Sequence, residues 1–94
     1  MDLEGRYSIR KDIAWQEYFG TLYVFDDISR ESYTLEDLAS AIWKIISGSK
    51  DILLSDIKAQ VKSMYPDIAS KTIDDDVNEF IMDLLDSGLV VKHE

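Results

Sequence analysis

The side chains able to do chemistry are few in this chain, and they are poorly arranged for it. The single histidine, His93, stands next to the last residue, and there are no cysteines. That removes thiolate metal sites and disulfide frameworks, and no histidine sits where a serine nucleophile pair could be argued from the sequence. The four glycines are dispersed, so no glycine-rich phosphate loop is present. The densest carboxylate cluster is Asp74-Asp75-Asp76. A calcium loop needs oxygen ligands at alternate positions and a closing glutamate, which this run lacks. Consecutive helical residues also point about 100° apart. The run is better read as negative charge in the first turn of a helix, where it suits the macrodipole. Asp26-Asp27 reads as a turn. No catalytic, metal or cofactor constellation emerges, and the expectation is a protein without enzymatic activity of its own.

Charge and hydropathy narrow the classes further. The 94 residues suit one domain, and 46% are hydrophobic, which argues against disorder. Net charge is −9. Nucleic-acid binders present a basic face that releases counterions from phosphate, and here the basic residues are scattered. Trp15, Tyr18, Phe19, Tyr23 and Phe25 could form a base-stacking platform. Without a basic surround they read instead as core and sheet packing. No apolar run approaches the ~20 residues of a membrane span. The N-terminal stretch has no apolar signal-peptide core, so a cytoplasmic location is expected.

The elements follow from periodicity. Residues 1–11 read as an N-terminal arm, and 12–94 as a single domain. In DIAWQEYF (12–19), Ile13, Trp15, Glu17 and Phe19 share one strand face. Gly20 permits a tight turn into TLYVF (21–25), which is rich in β-branched and aromatic residues. DDISR (26–30) supplies turn formers. ESYT (31–34) is a short polar third strand, suited to a sheet edge. The first helix is expected to open at Thr34, with Asp37 at capping-box spacing, and to stop at Gly48. Trp43 borders its apolar stripe and is expected to be partly buried. A second helix is expected over about 55–65, capped by Ser55 and stopped by Pro66. A third runs from about 72 to 87, capped by Thr72 and ended by Gly88, and LVVK makes a last strand. The fold class is therefore α+β: an N-terminal three-stranded antiparallel sheet, three helices in a winged-helix-like cluster, and a short C-terminal strand.

The third helix is broader in its apolar face than a small core requires. At ~100° steps Ile73, Val77, Ile81 and Leu84 form the central stripe. Phe80 lies on one flank beside Asp76 and Asp83, and Leu85 lies on the other beside Asn78. Either the helix is covered on both flanks, or one flank lines a groove. A groove beside an edge strand is a known route for peptide recognition by strand addition. The residues alone leave both readings open.

The order of elements resembles a particular family. LYVFDDISRESYTLEDLASAIWKIISG (22–48) and IDDDVNEFIMDLLDSGLV (73–90) are similar to the pyrroloquinoline quinone synthesis protein D family. The matching positions are Tyr33 and Leu35, Ile42 and Trp43, Gly48, Asp76 and Val77, Phe80, Ile81, Leu84, and Gly88 to Val90. Two positions depart from it: Glu36 stands where the family commonly has asparagine, and SKDILL (49–54) replaces a shorter step. The resemblance implies a non-catalytic adaptor, a recognition element for ribosomally made, post-translationally modified peptides (RiPPs). Such a domain binds the leader segment of a precursor peptide as an added strand. It delivers that peptide to a modifying enzyme such as a radical S-adenosylmethionine enzyme, a cyclase or a leader peptidase. Carried over to this chain, Glu31, Ser32, Tyr33 and Thr34 would supply the main-chain edge. Asp76, Phe80, Asp83 and Leu84 would line the groove, with Ile81 and Leu85 as the alternative wall. Two other roles compete: an accessory subunit that stabilises a partner enzyme, and a winged-helix nucleic-acid binder. The edge strand also leaves room for a strand-paired homodimer.

Overall fold

The computed structural model describes residues 3–93, so Met1, Asp2 and Glu94 of the expected arm and domain lie outside the described residues. The element order is β1 (Arg6–Ile9), β2 (Ile13–Tyr18), β3 (Thr21–Asp26), β4 (Ser32–Leu35), α1 (Asp37–Ser47), β5 (Ile52–Leu53), α2 (Leu54–Met64), α3 (Ser70–Asp86) and β6 (Val90–His93). The α+β class is as expected, with the antiparallel sheet β2-β3-β4 preceding the three helices and β6 closing the chain.

A second sheet, in the order β5-β1-β6, was not foreseen. Its middle strand comes from the segment read as an arm. Tyr7 is fully buried there and pairs with Ile52 on one side and Lys92 on the other. The four residues of β1 are too few for alternation to stand out, and only Tyr7 and Ile9 are apolar. The helical cluster with this small sheet is the winged-helix-like part, and β2-β3-β4 packs beside it.

Helix boundaries shift for local reasons. α1 begins three residues later than expected, because Thr34 and Leu35 complete the β4 ladder opposite Tyr23 and Leu22. Its N-cap is Glu36, without a side-chain bond, so the capping box from Thr34 does not form. α2 starts at Leu54 rather than after a Ser55 cap. α3 starts at Ser70, which moves Asp74-Asp75-Asp76 out of the first turn. The three carboxylates diverge as helical geometry requires: Asp74 pairs with Lys62, Asp75 pairs with Lys71, and Asp76 faces solvent. The α3 terminus is a Schellman motif. Leu89 N–H donates to the Leu84 carbonyl and Gly88 N–H to that of Leu85, with Gly88 at φ +74°.

The core gathers Tyr7, Leu22, Val24, Ile42, Trp43, Ile46, Ile57, Val61, Ile73, Val77, Ile81 and Leu84. Trp43 is completely buried, not partly, because β1 and the inner face of β2-β3-β4 close over α1. The strand aromatics correct a second expectation. Trp15 reaches the core edge-on against Trp43, but Tyr18, Phe19 and Tyr23 are exposed, Phe19 at 92%. They do not build the core: Trp15 and Glu17 occupy the face of β2 turned to α1, Tyr18 and Tyr23 lie on the opposite face of the sheet, and Phe19 stands in the β2–β3 turn.

Candidate functional site

The free edge of β4 can be resolved to single residues. β4 pairs only with β3, in the register Val24↔Tyr33 and Phe25↔Ser32. The Asp26 amide donates to the Glu31 carbonyl, which sets the alternation of the antiparallel ladder. Tyr33 and Leu35 then turn their main-chain groups toward β3. Ser32 and Thr34 turn theirs outward, to open solvent. Glu31 does not join them: its carbonyl is taken by Asp26 and its amide donates to the Ser29 hydroxyl. Of the four residues expected to supply the edge, the geometry leaves Ser32 and Thr34 with groups to offer.

The side chains of β4 alternate with the pleat. Leu35 is buried, Tyr33 is half-buried against the core, and Ser32 and Thr34 are exposed. The Tyr33 hydroxyl donates to the Glu31 carboxylate at 2.8 Å. That bond, together with burial and the nearby Glu31 and Asp26 charges, holds the phenol above its ordinary pKa, against a smaller opposing effect from the neighbouring Ser87 side chain. Ser87 caps the end of α3. The inward side chain of β4 therefore lies near the end of α3.

The two flanks of α3 differ in what lies beside them. On α3 the Phe80 side carries Asp76, Asp83 and, by the same ~100° steps, Ser87. The Leu85 side carries Asp74 and Asn78. Asp74 forms a 2.8 Å ion pair with Lys62, which places α2 over the Leu85 flank. Ser87, near Tyr33, lies on the opposite flank. Phe80 is half-buried against the core, and Asp76 and Asp83 are exposed with no ion-pair partner among the described residues. Of the alternative wall, Ile81 is fully buried and Leu85 sits on the α2 side. Leu84 is 2% exposed and belongs to the core, so it underlies the flank without lining it.

Sequence reasoning missed Arg10 and undervalued Asp26. Asp26 is 1% exposed, and its carboxylate accepts amides from Ile28 and Ser29 and an ion pair from Arg10. Burial pushes its pKa up, but these hydrogen bonds prevail and the net shift is downward. The aspartate two residues before Ile28 is the signal of an Asx turn, which could have marked it. Arg10, in an apparent arm, gave no such signal. One cavity of about 550 Å³ sits among the β2–β3 turn, α1 and the end of α2, and another of about 280 Å³ lies on β2-β3-β4 around Trp15, Tyr23 and Phe25, with Ser32 of the edge strand also lining it. Among the described residues no three His, Asp or Glu side chains converge as metal ligands, and no helix is long and apolar enough to cross a membrane.

The family model for coenzyme PQQ synthesis protein D (PqqD) matches residues 22–90, from β3 to the first residue of β6. The chain belongs to the PqqD family. Two solved structures share its fold. One is TbiB1 in complex with the TbiA(beta) leader peptide, with a TM-score of 0.80, 15% identity, and coverage of 93% of this chain and 98% of that one. The other is a lasso peptide synthetase B1 complexed with the leader peptide, with a TM-score of 0.74, 19% identity, and coverage of 90% and 96%. A comparison with curated proteins gives no match. The PqqD match begins after β2, so β1 and β2 are supported by the fold likeness and not by the family model.

Proposed function

We propose that this PqqD-family chain is a non-catalytic adaptor that binds the leader segment of a ribosomally made precursor peptide. The peptide adds as a strand to β4 and lays alternate side chains against the Phe80 flank of α3. The observation that carries this reading is the β4 edge, where Ser32 and Thr34 turn their main-chain groups outward, and the position of Phe80 on the α3 flank away from the Lys62–Asp74 pair supports it. Both structural neighbours hold leader peptides, which supports the same role here. The bound peptide would then reach a modifying enzyme, such as a radical S-adenosylmethionine enzyme, a cyclase or a leader peptidase, which would supply the chemistry.

The energetics favour a mixed interface. Ordering a disordered leader costs about 2–5 kcal/mol. Main-chain bonds from Ser32 and Thr34 return ~1 kcal/mol each. Useful affinity then needs two or three apolar leader side chains, at ~1.5–3 kcal/mol apiece when fully buried. Nucleic-acid binding is disfavoured by α3 itself, whose six acidic residues, Asp74, Asp75, Asp76, Glu79, Asp83 and Asp86, face one lysine, Lys71. The test is a calorimetric titration with a synthetic leader copied from the precursor encoded beside the gene. Saturable binding to the isolated chain is expected. Association with the enzyme but not with the leader would favour the enzyme-stabilising role.

A further inference from the structure

The two walls of the proposed groove belong to different parts of the fold. β4 hangs from the β2-β3-β4 sheet, and α3 belongs to the helical cluster. Their spacing must be fixed by something that touches both. Arg10 does so. It follows β1, and its side chain spans from the end of α3 to the turn that feeds β4. Its Nη1 donates to the Gly88 carbonyl at 2.8 Å, just past the α3 terminus. Its Nη2 pairs with the buried Asp26 carboxylate. Asp26 in turn holds the Ile28 and Ser29 amides, and its own amide holds the Glu31 carbonyl, so the whole 26–31 turn is tied to it. The Arg10 amide also donates to the Leu89 carbonyl. The position beside Arg10 is kept clear by glycine: a Cβ on Gly88 would lie 3.4 Å from Nη1, at a φ of +74° that disfavours other residues.

We propose that Arg10 is a positioning residue: bridging Gly88 and Asp26, it sets the distance between the β4 edge and the Phe80 flank of α3. A guanidinium suits the task because its planar fork can satisfy two fixed acceptors at once, whereas a lysine ammonium on a flexible stem fixes neither direction. A cation there also faces the negative end of the α3 dipole. An added strand needs its walls held to about half an ångström, so a bridge lost at one end of the groove is felt along it. The consequence for peptide binding rests on the function proposed above, but the spacing itself does not.

The experiment compares Arg10→Met with Ile52→Ala, a core substitution in β5 remote from both walls, chosen to lower stability without touching the bridge. Each variant is measured in two ways. The first is the nuclear Overhauser contact between the Tyr33 ring and Ser87 in the peptide-free chain. The second is affinity for the synthetic leader. Arg10→Met is expected to lose the contact and to weaken leader binding about tenfold or more, an amount equal to roughly 1.4 kcal/mol. Ile52→Ala is expected to keep both. If Arg10→Met proves too unstable, Asp26→Asn replaces it, since the amide oxygen can still hold the turn while the charge facing Arg10 is gone. An unchanged Tyr33–Ser87 contact in the bridge variants overturns the proposal, as does leader affinity weakened no more than in Ile52→Ala. If the wild-type chain binds no leader but the contact is still lost with Arg10, the positioning role stands and the proposed function falls.

Discussion

At the residue scale the account rests on Phe80 and on the buried Asp26. Phe80 is the half-exposed apolar residue on the uncovered flank of α3, whereas Leu84 beneath it is already core. Phe80→Ala is therefore expected to weaken leader affinity about tenfold, a loss within the ~1.5–3 kcal/mol of a buried apolar side chain. Ser32→Ala keeps its main-chain groups and should change affinity less than about twofold. Equal effects of the two substitutions in a calorimetric titration would contradict strand addition against this flank. Asp26 makes a separate statement about pH. Its folded-state pKa is depressed, so the stability it contributes is complete above the ordinary carboxylate pKa and is lost as pH falls through the folded value. The stability difference between wild type and Asp26→Asn should be constant near neutrality and shrink below about pH 4, as followed by urea unfolding. A difference that grows on acidification would mean that the carboxylate is not held ionised by its hydrogen bonds. The sequence showed Asp26 as a turn former, and so it is. Its burial could not be read there, because that depends on Arg10 arriving from 16 residues upstream.

At the scale of elements, local patterns were legible wherever a stop signal or an alternation was strong. The β2–β3 hairpin with Gly20, the stripe of α3 and the glycine at its end all stand in the structure. What escaped was decided by tertiary pairing. Thr34 and Leu35 carry a helix-start pattern yet are drawn into the β4 ladder, and β1 is recognisable only once β5 and β6 flank it. The candidate site shows the same division. The residue types of its proposed walls were visible, but which flank α2 covers could be read only from the Lys62–Asp74 pair. The edge makes a prediction of its own. Proline is tolerated on an edge strand where the lost N–H faces solvent, and Thr34 is such a position. Thr34→Pro should leave a folded chain by circular dichroism and abolish most leader affinity. The same substitution at Tyr33 would remove a ladder bond to β3 and should destabilise the fold instead. Full leader affinity in a folded Thr34→Pro variant would move the peptide off this edge.

At the scale of the molecule, acidity acts on recognition rather than on fold. The chain carries a net charge of −9, and among the described residues Asp76 and Asp83 have no ion-pair partner on the flank proposed to meet the peptide. A basic leader side chain would be drawn to them across solvent-exposed distances that salt screens. Leader affinity should accordingly fall as ionic strength rises, and Asp76→Asn with Asp83→Asn should flatten that dependence. A salt-independent affinity would mean that the apolar flank and the main-chain edge do the binding without a charge pair.

The most direct test labels the chain with nitrogen-15 and follows its amides as the synthetic leader is added. The account predicts that shifts concentrate at Ser32 to Leu35 and along the Phe80 flank of α3 from Asp76 to Ser87, while the Leu85 flank and α2 stay still. Shifts confined to α2, or to the exposed aromatics of β2 and β3, would contradict it.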